Sequence, residues 1–596
     1  MTRDKKILIA ILLLAALLRF YGLGRGDTVN DEVFMSFRGL GMIDFDEGDY
    51  QTTPWQWFDP LAWRDCEGEI PNEIPQYCLD NPAVKHALEK GETFITGIPW
   101  WARLSFHDHP LLVPFAQNLS LSVFGTSTAA ARLPSAVLGV ASVWLLFLLG
   151  KKIFSEEAGL MGTFIYAVTL NGIFISRVGM QESFVIFFLL LVFNLFLEGL
   201  RRKKYFLWAG AALGLGMLAK YTVVVAAPIM LSYLLFRRRD VFRHREFWAS
   251  AGIAFLLFSP IIVYNYELLK AVGHFDFQLS HIFNQPHPEW PVQPGKEIGS
   301  LSERLLGFTP RLIHSNSWIF LIVFIFSLAA FARLLFLKPR ETWNKFGFIF
   351  LATIWLLLLF AKIGTAYRFL TMLAPFLALA GGLFLAEVFA RFKDGKRKIL
   401  AVILLAFLAM FEIFYSWNNQ ISFYPLGPSP WLSSRLRYEN YNWGYNALDD
   451  YLEKEFAGQI PLLTFDVQYD FLEKLRQEAL ANGTKRRLKR VPFLIIYGGN
   501  FDDGAKLWVM ERRLVYQAWP VLKVNTFFQY REEQGEDYFD RAGFSRQYFI
   551  ITSNYVPEPE FARILKGIEP LIIRNARGDE VFYVHVREAE KTPALK

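Results

Sequence analysis

Cysteine is nearly absent: the 596-residue chain has two, Cys66 and Cys78. That excludes a disulfide-dense scaffold and the paired-cysteine zinc modules. Their one remaining pairing is with each other, inside what reads as a single extracytoplasmic loop. The signatures of soluble nucleotide and acyl chemistry are missing as well, with no Walker phosphate loop and no Gly-x-Ser-x-Gly elbow. Gly210-Ala-Ala-Leu-Gly214-Leu-Gly216 has no strand before it and lies within an apolar run, so it reads as helix-packing glycine. Charge is sparse at 20% of residues, against about 25% in an ordinary soluble domain. No internal repeat and no low-complexity tract interrupts the chain.

Apolar surface is what the chain has in excess: 53% of residues are hydrophobic and 17% aromatic. Runs of roughly 17 to 25 apolar residues cross a bilayer as helices. About eleven such runs are present, near 7–22, 131–150, 158–175, 184–199, 205–219, 221–236, 247–266, 318–337, 346–361, 369–390 and 399–417. The first resembles a signal peptide, but Arg19, Phe20 and Tyr21 make a poor cleavage site, so it is read as a membrane helix. With this count the clusters Arg3/Lys5/Lys6, Lys151/Lys152, 201–204, 237–245, 338–345 and 391–398 all fall on one side, which is then the cytoplasm. The formal charge of +7 is thus membrane anchoring and does not point to nucleic acid. A further crossing at 111–124 would invert every later cluster, so that segment is expected to lie along the outer interface.

The expected fold is an α-helical polytopic membrane protein with a cytoplasmic N-terminus. Residues 1–417 form its transmembrane domain, with a long first outer loop, about 23–130, that carries interfacial helices and is rich in tryptophan. Residues 418–596 return to normal polarity and read as an extracytoplasmic α/β domain. Strands are expected at 462–465, 491–497, 548–552, 571–573 and 581–586, and helices at 447–456, 470–481 and 559–566.

Ionisable residues then gather on the outer side. Acids stand at Asp31, Glu32, Asp108 and Glu182, and cations at Arg132, Arg177, Lys220, Lys362 and Arg368. Charges at membrane depth cost several kcal/mol unless paired or solvated, and helix-end snorkelling explains any single one. Together they describe a cavity able to hold an anionic leaving group beside a general base.

Several segments resemble the GT-C class of polytopic glycosyltransferases, in the branch of protein O-mannosyltransferases and the lipid A aminoarabinose transferase. They are Asn30-Asp31-Glu32, Phe106-His-Asp108-His109-Pro110-Leu111-Leu112, Phe124-Gly125 with Ala131-Arg132-Leu133-Pro134-Ser135, Ser176-Arg177 through Glu182, and Gly214-Leu-Gly-Met-Leu-Ala-Lys220-Tyr221. The resemblance covers roughly 1–390. It implies inverting transfer of a sugar from a polyprenyl monophosphate to an acceptor protein, lipid or glycan outside the cytoplasm. By that resemblance Asp31 is the base, with Glu32 as its substitute, and Glu182 takes the family's second acidic position, where aspartate is usual. His109 replaces the branch's lysine as a phosphate contact, and Asp108 with His281 implies one divalent cation. Arg177, Lys220, Lys362 and Arg368 are the remaining phosphate candidates, with the arginine at 368 suited to bidentate contact.

A competing reading is a transporter or flippase of lipid-linked or anionic solutes, since buried charges in a helical bundle also serve transport. A third is a non-catalytic receptor or assembly factor. Charges confined to one face and the large outer domain favour the enzyme.

Overall fold

The structure, a computed structural model, describes residues 2–28, 31–45, 53–60, 81–90, 97–285, 299–391 and 396–588. Cys66 and Cys78 lie outside the described residues.

Every expected membrane run coincides with helix. Among the described residues seven helices are long and apolar enough to cross a membrane: Thr128–Ile153, Glu182–Gly199, Arg245–Val272, Trp318–Leu337, Phe346–Ile363, Tyr367–Arg391 and Lys398–Gln420. The bent pair Glu156–Val168 and Leu170–Arg177 makes an eighth if counted as one span. The other three expected runs fall on α1 (Arg3–Phe20), which carries charge at both ends, and on the shorter segments Tyr205–Met217 and Tyr221–Arg237. The interfacial segment is a 13-residue helix, Leu112–Phe124, with Phe115, Leu119 and Val123 exposed.

Small residues let these helices approach closely, as expected where no hydrophobic effect drives association. A Cβ at Gly210 would stand 2.1 Å from Ser250 O, and one at Gly214 2.9 Å from Ala254 O. The glycine run therefore seats Tyr205–Met217 against Arg245–Val272.

The break at Thr169 bends its pair by 57° and frees backbone carbonyls within the bundle. The fully buried Arg19 guanidinium answers it, donating to Ala167 O at 3.0 Å, Gly172 O at 3.0 Å and Ser176 Oγ at 3.2 Å. Unsatisfied carbonyls at membrane depth cost several kcal/mol each, which is why an arginine is retained there.

The C-terminal region holds a five-stranded sheet of order β4 (Val521–Lys523), β3 (Phe493–Gly498), β5 (Arg546–Thr552), β7 (Glu580–Glu588), β6 (Leu571–Arg574). Its first three strands are parallel and the last two antiparallel additions. A separate parallel pair joins β1 (Gln459–Pro461) to β2 (Lys489–Val491). The strand expected at 462–465 is absent, since β1 ends at Pro461 and the Leu462 N–H makes a last ladder bond to Val491 O at 2.9 Å; Pro492 splits the expected 491–497 run in two.

β3 is covered on both faces. Phe493, Ile495 and Tyr497 face a core shared with Val33, Phe37, Trp57 and Trp101 of the first loop, while Leu494 and Ile496 face Phe527 and Phe549. The last apolar helix ends at Gln420, three residues past the expected boundary at 417/418, and packing continues across it. Two loop acids lock this junction by capping helices that belong to the C-terminal region. Asp27 accepts the backbone N–H of Gly444 at 2.8 Å and of Asn446 at 2.8 Å, ahead of helix Tyr445–Glu455; Asp59 accepts that of Asp470 at 2.8 Å, opening helix Asp470–Lys485.

Candidate active site

Two carboxylates reach one spot because each begins a helix. Asp31 opens α2 (Asp31–Gly41) and Glu182 opens Glu182–Gly199, where the helix dipole favours negative charge. Two cations meet them from chain breaks. Lys220 stands between Tyr205–Met217 and the 3-10 turn Tyr221–Val225, and Arg368 follows Gly364, whose φ of 95° turns the chain out of Pro339–Ile363.

Lys220 Nζ donates to Glu182 Oε1 at 2.6 Å. Arg368 forms an ion pair with Asp31, and its Nε lies 3.8 Å from the same Glu182 oxygen. The Phe369 ring lies 4.9 Å from Lys220 Nζ and 5.1 Å from the Arg368 guanidinium, fixing both. Accessibility separates the two acids: the Glu182 side chain is 2% exposed and that of Asp31 49%. Only Asp31 is open to an incoming group.

Glu32, one residue on, lies in the core. Arg132 grips it with two nitrogens, Nε on Oε2 at 3.0 Å and Nη2 on Oε1, and the Gly179 N–H donates to Oε2 at 2.7 Å. A Cβ at Gly179 would stand 2.9 Å from Gln117 Nε2, so glycine permits this approach. With Glu32 1% exposed, its expected role as a substitute base gives way to a structural one.

Arg177 departs from expectation in the same way. Its guanidinium is buried and donates to Leu18 O at 3.1 Å, Arg19 O at 3.2 Å, Tyr21 O at 2.9 Å, Gly22 O at 3.1 Å and Gln420 O at 3.1 Å. It closes the carbonyl end of α1, and all five of these partners are backbone carbonyls. Lys362 lies in the last turn of helix Pro339–Ile363, and its ammonium donates to Asn284 Oδ1 at 3.0 Å.

Asp108 and His109 form a second polar group. Arg38, from the far end of α2, pairs with Asp108, and His109 Nδ1 lies 2.9 Å from Asp108 Oδ2. Burial alone would raise the Asp108 carboxyl, but the Arg38 guanidinium and His109 overcome it and hold it well below the usual carboxylate range. His281 lies on helix Phe277–Phe283, whose first N–H donates to His107 O at 2.9 Å, so its helix docks on the Asp108 loop. The donor set does not fit the expected cation: Asp108 is neutralised by Arg38, and among the described residues no three His, Cys, Asp or Glu side chains gather as ligands.

Sequence reasoning missed the support of this region. Tyr221, beside Lys220, donates to Asp276 Oδ2 at 2.5 Å, and Asn265 Nδ2 reaches the same oxygen at 2.9 Å. Arg38 carried a signal, being a lone cation within apolar Val33 to Met42.

Comparison with known proteins bears on the fold. Residues 108–264 match the family model for dolichyl-phosphate-mannose-protein mannosyltransferase. Two Bacillus subtilis strain 168 proteins that bear mannosyltransferase names are similar over shorter stretches. YkcB is 32% identical over 132 residues, 22% of this chain and 18% of that protein, and YycA 30% over 170 residues, 28% and 24%. The chain therefore spans only about a fifth to a quarter of the length of these relatives. Among solved structures, ArnT from Cupriavidus metallidurans bound to undecaprenyl phosphate superposes with a TM-score of 0.50 at 11% identity, covering 98% of each chain. At that identity the likeness is one of fold.

Proposed function

We propose that the chain is a GT-C-class membrane protein of the protein O-mannosyltransferase and aminoarabinose transferase-like family, and that it moves a sugar from a polyprenyl monophosphate to an acceptor hydroxyl on the extracytoplasmic side. The observation that carries this reading is the half-exposed Asp31 paired with Arg368, whose Nε lies 3.8 Å from the Glu182 that holds Lys220. A base and two phosphate-binding cations share one site.

In the proposed reaction the acceptor oxygen attacks the anomeric carbon and the bond from that carbon to the phosphate oxygen breaks. The hydroxyl proton passes to Asp31, and the lipid phosphate leaves as an anion, with inversion. Lys220 and Arg368 stabilise the charge that grows on the phosphate, and Glu182 keeps Lys220 oriented. An arriving phosphate competes for Arg368, which frees the Asp31 carboxylate to act as base. His109 and Lys362 stand as outer phosphate contacts. Asp108, held by Arg38, serves as structural support, and no step runs through a metal. Mannosyl donors come first in any panel, as the names of the relatives imply; the acceptor is a protein, lipid or glycan.

The test is purified protein in lipid with polyprenyl-monophosphate sugars, mannosyl first, reading transfer and slow donor hydrolysis. Asp31→Asn is expected to lower turnover about 100- to 10,000-fold with donor binding retained. Folded wild-type protein that neither binds nor consumes any such donor would overturn the reading.

A further inference from the structure

The C-terminal region holds a crevice with a cavity volume of about 340 Å³, away from the charged site. It runs along β4, the edge strand of the sheet, and is closed by the 465–468 loop and by Phe45 of the first loop. Phe45 follows α2, whose 11 residues put it roughly 15 Å or more from Asp31.

One of the residues lining the crevice is a carboxylate that is not fully used. Glu511 is 5% exposed; its Oε1 accepts the Tyr497 hydroxyl at 2.6 Å, and its Oε2 has no hydrogen-bond partner. A buried acceptor left unpaired costs about 1–3 kcal/mol, so its retention calls for a donor from outside. The backbone there is unusual too. Glu511 ends a π-helical turn, Leu507–Glu511, a rare geometry concentrated at functional sites.

The other walls narrow the ligand class. Phe465 and Tyr530 stack on each other, 16° between planes and 6.3 Å between centroids, with Tyr538 stacked on Tyr530 in turn, and this packed aromatic group lines the crevice beside Thr526 and Gln468. An apolar wall facing a hydroxyl acceptor suits a ring with C–H on one face and O–H groups at its edge. A purely apolar ligand would leave Glu511 unanswered. A cation would meet Lys523, which already acts on Glu511 across the crevice.

We propose that this crevice binds a neutral pyranose, packed against the exposed parts of Tyr530 and Phe465 and donating a hydroxyl to Glu511 Oε2. The volume, near the lower limit of small-ligand pockets, admits a terminal sugar and excludes a chain. The site is separate from the Asp31 centre and does not depend on the transfer reaction.

The test uses the full-length protein in nanodiscs at pH 8, where Glu511 is ionised and its Oε2 is an acceptor, titrated with methyl mannoside, methyl glucoside and methyl N-acetylglucosaminide. Saturation-transfer NMR and tryptophan fluorescence, to which nearby Trp508 contributes, are the readouts. At least one glycoside is expected to bind saturably with Kd of order 1 mM, weakened about tenfold or more by Glu511→Gln and by Tyr530→Ala. Asp31→Asn should bind as wild type does, so failure of transfer and failure of this site are told apart. Glu511→Gln keeps the side-chain shape and the Tyr497 contact, which preserves the test if Tyr530→Ala folds poorly. No binding by any of the three glycosides, or binding unaffected by Glu511→Gln in a folded protein, would overturn the proposal.

Discussion

Adjacent acids at the start of α2 have opposite fates because successive helical residues point about 100° apart. Asp31 turns to the open site, while Glu32 turns inward to Arg132. Their substitutions should therefore separate function from stability. Glu32→Gln is expected to cost about 3–5 kcal/mol by stranding the buried Arg132 charge, read as a lowered Tm before any kinetic assay. Asp31→Asn should leave Tm within a few degrees and remove turnover. The pair was legible as an acidic motif, but which carboxylate faces water depends on where the helix begins, and composition does not fix that phase.

Glu511 supplies a pH dependence at the same scale. Burial pushes its carboxyl up to about 7 from an ordinary 4.5, with nearby Lys523 opposing. The sign follows from proton uptake: between these values the unfolded chain ionises while the folded one stays protonated, so stability falls as pH rises and levels off above 7. At about 1.4 kcal/mol per unit the loss reaches roughly 3 kcal/mol. Glu511→Gln should accordingly raise the melting temperature of the C-terminal region at pH 8 and leave it unchanged near pH 4. Equal gains at both values would mean that the gain comes from packing and not from ionisation.

Among the helices, the lesson concerns cations. Lys220 and Arg368 answer carboxylates and stay in the site, whereas Arg19 and Arg177 answer backbone carbonyls at a helix break and a helix end. Both kinds look alike in sequence, since a carbonyl partner leaves no side-chain signature. The apolar runs themselves were legible because bilayer thickness sets their length; the bend at Thr169 was not, because the residues that seal it lie far along the chain. Arg177→Lys tests the distinction. A lysine keeps the charge but offers one ammonium where the guanidinium reaches five carbonyls, so Tm should fall although charge is conserved. A donor-phosphate role would instead appear as weaker donor binding at unchanged Tm.

For the whole molecule, the first loop and the C-terminal region fold as one body on the helical bundle. The strands of that region were largely readable from alternation, but its joint to the loop was not. Helices Tyr445–Glu455 and Asp470–Lys485 have no capping side chain of their own, since Gly444 and Tyr469 hold their N-cap positions, and the acids that serve them stand at positions 27 and 59. Asp27→Asn should expose this dependence. An amide keeps one acceptor and turns an N–H₂ group toward backbone N–H groups that now share a carboxylate, a loss of about 1–3 kcal/mol. Hydrogen exchange of the Tyr445–Glu455 amides is expected to speed up about tenfold or more, while β3 and β5, buried in the cores on both sides, stay protected. Asp59→Asn should do the same for Asp470–Lys485. Combined, the two substitutions should loosen the joint more than their sum, because each cap holds in place the surface on which the other acts. If exchange in both helices matched wild type, the C-terminal region would be shown to hold its fold without the loop.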